Sequence, residues 1–230
     1  MIDKRKKIIC VMDTETLGVD KPLVYDLGIT ITDKKGNIYK QANWIIKEVF
    51  EQKEKMQSAY YSNKLPKYDE MLLSGQAILK PWKEVREEFN SILEEYNVKV
   101  ISAYNLGFDI RAMNYTNKCL GMTTKFLNPR YTYETWDLWG MATQTILRQK
   151  TFHRIAEREN WKTPKGNLLT NAEVAYRYIT NQMGFIEDHT ALSDTEIETK
   201  IMVKCLTQHK KMTKKIIANP WKMAQTVAWA

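Results

Sequence analysis

Apolar and polar positions divide the chain into stretches of different period. Residues 8–12, Ile-Ile-Cys-Val-Met, are an unbroken apolar run that ends in Asp13 and Glu15, the pattern of a strand buried on both faces. Leu27, Ile29 and Ile31 alternate with smaller residues, which predicts a strand over 24–32 with one buried face. Residues 33–37 form a turn, and 38–46 read as a third strand, so an antiparallel meander is expected. Alternation then gives way to helical spacing at 48–62, 67–73 and 82–96. In the last of these Val85, Phe89, Ile92 and Leu93 share one face, and Pro81 suits the first turn. A short apolar strand follows at 98–101, a helix at 105–120, and a fifth strand at 131–135 that runs into a helix from 137 to about 147. Further helices are predicted at 151–159, 170–179 and 190–208. This order predicts an α/β fold, a mixed five-stranded sheet flanked by helices. One domain is expected over 1–210, with a C-terminal extension over 211–230. Trp221 and Trp229 make that extension either a docking tail or a helix folded back on the domain, and the cost of exposed Trp favours the second.

Composition narrows the class. The chain of 230 residues is 43% hydrophobic and 11% aromatic, which supports a substantial core and excludes a disordered chain. A net charge of +8 suits a polyanionic partner such as nucleic acid. The excess is densest at residues 4–7 and 210–215, where a solvated terminus is the simpler account of either run alone. Cys10, Cys119 and Cys205 sit among apolar neighbours without metal-ligand spacing, as buried free thiols of a reducing compartment would. With no apolar run near the length of a membrane span and no signal peptide, a soluble cytoplasmic protein without membrane contact is expected.

The candidate chemistry lies in four carboxylates. In an extended chain Asp13 and Glu15 point to the same side. Two like charges at the end of a buried strand repel and lose hydration, and a divalent metal is the usual compensator. The plain alternative is a strand that runs out into a polar turn. In a helix from Asn105, Asp109 falls at the edge of the apolar stripe of Leu106, Met113 and Leu120, where an amphipathic helix does not place an acid. Asp194 stands on the stripe of Ile197, Ile201 and Cys205, in a first turn where a helix cap is the other explanation. His189 precedes that helix. A set of oxygen donors with few His and no Cys suits Mg²⁺ or Mn²⁺ rather than zinc.

Asp13-x-Glu15 followed by Thr16-Leu17-Gly18, Asn105-x-x-Phe108-Asp109, and His189-x-x-x-x-Asp194 resemble, in order and approximate spacing, the three exonuclease motifs of the DEDDh family. That family includes the proofreading ε subunit of bacterial replicative polymerases and RNase T. The resemblance covers roughly residues 7–208, and 133–138 is similar to the strand and helix start between the second and third motifs. Thr-Leu-Gly departs from the commoner Thr-Thr-Gly or Ala-Thr-Gly, and the helical insertion at 48–80 is long. The resemblance implies a ribonuclease H-like fold and 3′→5′ hydrolysis of single-stranded nucleic acid, DNA preferred, to 5′-mononucleotides. It implies two Mg²⁺ or Mn²⁺ ions, with Asp13 bridging, Glu15 and Asp194 completing the shell of the first ion, Asp109 serving the second, and His189 as general base. Thr14, Thr16, Leu17, Asn105 and Phe108 would contact substrate, Leu17 as a wedge and Phe108 by stacking, although both side chains also suit core packing. A DNA polymerase or another replication or repair protein is an implied partner. An exoribonuclease and a catalytically silent nucleic-acid-binding module are the alternatives.

Overall fold

A computed structural model describes residues 6–59, 62–128 and 130–228. In chain order the elements are β1 (Ile8–Thr16), β2 (Val24–Asp33), β3 (Ile38–Ile46), α1 (Lys47–Phe50), α2 (Lys53–Gln57), α3 (Leu65–Ser74), β4 (Ile78–Lys80), α4 (Trp82–Glu95), β5 (Val100–Ala103), α5 (Leu106–Cys119), β6 (Glu134–Asp137), α6 (Leu138–Gln144), α7 (Lys150–Arg158), α8 (Ala172–Thr180) and α9 (Ala191–Thr207). The sheet has six strands, in the order β4-β3-β2-β1-β5-β6, rather than the expected five. β1, β2 and β3 form the antiparallel meander, while β5 and β6 continue parallel from β1. The extra strand, β4, is a three-residue edge that pairs in parallel with Trp44–Ile46. It is too short to produce a period of its own.

Alternation along β1 sorts its side chains between two cores. Cys10 and Met12 join Val85 and Phe89 of α4 and Leu106 and Met113 of α5. Ile9 and Val11 join Leu138 and Met141 of α6 and Ile197, Ile201 and Cys205 of α9. Asp13 and Glu15 have the parity of Ile9 and Val11, so they continue the face that α9 covers. With both faces covered, β2 is buried at every position, not on one face as its alternation suggested. The small residues between its Leu and Ile side chains are where α9 lies.

The region before α4 is more broken than its spacing implied. Instead of one helix over 48–62 there are two short ones, and residues 60–61 lie outside the described part. Cys119 is exposed at the end of α5, where the expected apolar surroundings have run out, while Cys10 and Cys205 are buried. After α9 the chain crosses the edge of the sheet without regular structure. Lys214 O accepts from Asp137 N at 2.8 Å, and Lys214 Nζ sits 3.9 Å from the centre of the Trp136 ring. A short 3₁₀ turn at Pro220–Gln225 follows, with Ala224 fully buried in the α6–α9 core. Trp229, and Lys4 of the basic run at 4–7, fall outside the described residues. Among the described residues no helix is long and apolar enough to cross a membrane.

Candidate functional site

The end of β1 is where helices from both faces of the sheet meet. Glu15, His189 and Asp194 each offer a ligand atom, and these atoms lie within 4.8 Å of one another. Asp109 arrives from the other side. Its Oδ1 accepts from Thr14 N at 3.1 Å and from Thr14 Oγ1 at 2.8 Å, which fixes it against the residue next to Asp13. The structure thus gathers Glu15, His189 and Asp194 at the end of β1 and ties Asp109 to the residue that follows Asp13. Thr14, expected at the substrate, is buried with its hydroxyl committed to Asp109. Thr16 Oγ1 donates to Gly18 O at 3.0 Å inside the loop after β1. Leu17 and Phe108 are partly buried against the α4–α5 core, and the Phe108 ring lies 5.3 Å from the Arg111 guanidinium. Asn105 is exposed in a left-handed conformation (φ 73°) just before α5.

Local devices explain why these side chains stand where they do. Asp137 stitches two helix starts to the sheet. One of its oxygens accepts from Leu106 N, the first residue of α5, and the other from Gly140 N in α6, both at 3.1 Å. This holds the turn of α5 that carries Asp109. On the other face the start of α9 rests directly on β2. Gly28, paired with Asp13 across the β1–β2 ladder, has no side chain because a Cβ there would stand 2.3 Å from Leu192 N and 2.4 Å from Ala191 C. The contact continues in a 2.7 Å hydrogen bond between the hydroxyls of Thr30 and Thr195. Asp26, paired with Glu15, accepts from Ala191 N at 2.9 Å and from Tyr68 OH at 3.0 Å, and also from the Asn43 amide. The Tyr68 hydroxyl also reaches His189 O at 3.4 Å, so the insertion carrying α3 braces the loop of the third motif.

The electrostatics are those of crowded acids. Burial, then the charges of Asp194, Asp109, Glu198 and Glu15, hold the Asp13 carboxyl well above the usual range. Burial is also the main cause of the upward shifts of Glu15, to about 8, and Asp194, to about 10, with neighbouring carboxylates adding to both. In Asp109 burial outweighs the Thr14 hydrogen bonds and the pKa rises to about 7. His189, partly exposed, is lowered by burial and then by Lys64, and its Nδ1 is 3.9 Å from Glu187 Oε2. Asp194 Oδ1 is buried and has no hydrogen-bond donor. A close set of carboxylates with an orphaned oxygen and one imidazole fits a site for hard divalent cations.

Sequence reasoning missed four of these groups. Asp26 and Gly28 looked like the solvent-side residues of a half-buried strand, and Asp137 like an ordinary residue of a strand-to-helix junction. Glu198 carried a readable signal. At one turn beyond Asp194 it stands on the stripe 194, 198, 201, 205, as anomalous there as Asp194 itself.

An α/β sheet with this order, with acids gathered at the end of its first strand, defines a ribonuclease H-like fold. No family model matches the chain, and no curated protein matches it. Solved structures do. The zinc-ion-bound form of the complex of E. coli exonuclease I with ssDNA aligns with a TM-score of 0.57 at 14% identity, over 89% of this chain and 41% of that one. Exonuclease I with a dT13 oligonucleotide gives 0.57 at 15% identity, over 88% and 42%. The product-bound structure of exonuclease I gives 0.54 at 15%, over 87% and 44%. The chain thus has the fold of exonuclease I and spans about two fifths of the length of those chains.

Proposed function

We propose that the chain is a metal-dependent 3′→5′ exonuclease that removes 5′-mononucleotides from single-stranded nucleic acid, DNA in preference to RNA. The observation that carries this reading is the convergence of Asp13, Glu15, Asp109 and Asp194, from three separate segments, at one strand end beside His189. Likeness in fold to exonuclease I, solved with dT13 and dA16 oligonucleotides, supports the same substrate class. The net charge of +8 supports a polyanionic partner.

Asp13, Glu15 and Asp194 would hold one cation, and Asp13 with Asp109 the other. Such a pair, when bound, lowers the pKa of water and stabilises the departing alkoxide. The remaining work falls to the chain. His189 is mainly neutral at neutral pH because its pKa is lowered, so its imidazole can take the proton of the attacking water. Asp26 and Tyr68 fix the loop from which it acts. Thr14 fixes Asp109, and Asp137 fixes the helix that bears it.

The strand also has a path away from the acids. A cavity of about 640 Å³ borders Asn105, between Tyr104, Trp139, Lys165, Leu168 and Trp221. Its aromatic and aliphatic walls suit stacked bases upstream of the terminal nucleotide.

The test is digestion of matched single-stranded DNA and RNA oligomers, 5′-labelled, with Mg²⁺ and with EDTA. The expected result is a metal-dependent ladder that shortens from the 3′ end, faster on DNA. Faster trimming of RNA would reassign the substrate, and binding without cleavage would leave a silent module.

A further inference from the structure

The acid that the motifs do not account for is Glu198. It is 2% exposed, one helical turn beyond Asp194 on the buried stripe of α9. The backbone N–H of Tyr104 donates to its carboxylate, but Oε2 is buried and has no partner. Asp194 Oδ1 is orphaned in the same way, so two unsatisfied oxygens lie one turn apart on one helix face. A buried acceptor left unpaired is costly, and a divalent cation beside each oxygen would remove that cost.

The surroundings say which side of the site Glu198 serves. Its strongest repulsion comes from Asp109, and next from Asp194. Asp13 is repelled more by Glu198 than by Glu15, two residues along its own strand. Glu15 and Asp194, beside His189, form one half of the centre. Asp109, which repels Glu198 most, and Asp13, which Glu198 repels, both stand outside that half.

We infer that Glu198 is a fifth carboxylate of the metal centre, placed so that its free oxygen ligates the divalent cation on the Asp109 side. This rests on the exonuclease reading and deepens it. The second ion would gain a protein ligand in the absence of nucleic acid, so both cations are resident before a strand arrives.

Mn²⁺ binding to the full chain without nucleic acid, followed by electron paramagnetic resonance and calorimetry, tests this. The parent is expected to bind two Mn²⁺. Glu198→Gln keeps an oxygen for the Tyr104 N–H and removes the charge. It should retain one site and weaken the other at least as much as loss of an outer-shell partner does, roughly 10-fold or more. Two sites of parental affinity in Glu198→Gln would overturn the inference and leave the exonuclease reading standing. A parent that binds no Mn²⁺ would overturn both. If the glutamine variant does not fold, Glu198→Asp, which withdraws the oxygen by one methylene, is titrated against the same threshold.

Discussion

Gly28 offers the sharpest test of how the fold builds the site. Gly28→Ala adds one methyl group 2.3 Å from Leu192 N and 2.4 Å from Ala191 C, both backbone atoms that no rotamer change can move. Reaching ordinary contact at 3.4 Å requires the start of α9 to retreat from β2 by about 1.1 Å. That turn carries Asp194 and follows His189, whereas Asp13, directly across from Gly28, stays with β1. A displacement of roughly 1 Å between catalytic groups costs on the order of 10²-fold in rate, equivalent to about 2.7 kcal/mol. Overpacking of this kind also costs about 1–3 kcal/mol of stability, which for a chain of this size lowers Tm by roughly 2–12 °C. Single-turnover cleavage of a single-stranded DNA oligomer, with a melting curve of each protein, measures both. Gly184→Ala is the control, since a Cβ there meets nothing within 4 Å. Gly28→Ala cleaving at the parental rate, while Gly184→Ala does the same, would refute the claim that close approach of α9 to β2 sets the catalytic geometry.

Other predictions follow from particular contacts. Asp13→Ala should abolish hydrolysis, by at least about 10³-fold, with oligonucleotide binding largely kept; cleavage like the parent's would remove Asp13 from the mechanism. His189→Ala should lower turnover at neutral pH while leaving Mn²⁺ affinity within about twofold, and equal losses in both would make the imidazole a ligand. Asp137→Ala removes acceptors from Leu106 N and Gly140 N at two helix starts, and should cost about 1–3 kcal/mol in denaturant unfolding. Asp33 gives a pH signature away from the site. Burial opposes its ionisation, but hydrogen bonds from Asn37, Tyr39, Lys6 and Lys35 N outweigh it and hold the carboxyl below its usual range. The folded pKa is the lower one, so the stability it contributes is present above about pH 4 and lost as pH falls further. Asp33→Asn should therefore melt lower than the parent at pH 7, with a gap that narrows toward pH 3.

What the sequence could reveal depended on range. The strand ending in Asp13 and Glu15, the meander, and the stripe around Asp109 are local patterns, and periodicity finds them. β4 is three residues long and exists because Trp44–Ile46 offers it a partner, which no local pattern announces. The roles of Asp26 and Gly28 arise from contact with α9, more than 160 residues away along the chain. Alternation on β2 told which residues were large, while the small ones marked the face a helix would cover. Glu198 was legible by the same rule that exposed Asp194, because a carboxylate on a buried stripe needs a compensating partner wherever it occurs.

The most direct measurement is anomalous scattering from crystals of the chain grown with Mn²⁺ and a 5′-nucleotide monophosphate. The expected result is two peaks about 3.5–4 Å apart, both touching Asp13, with Glu15 and Asp194 on one and Asp109 on the other. Ordered nucleotide with no manganese between these carboxylates would contradict the account.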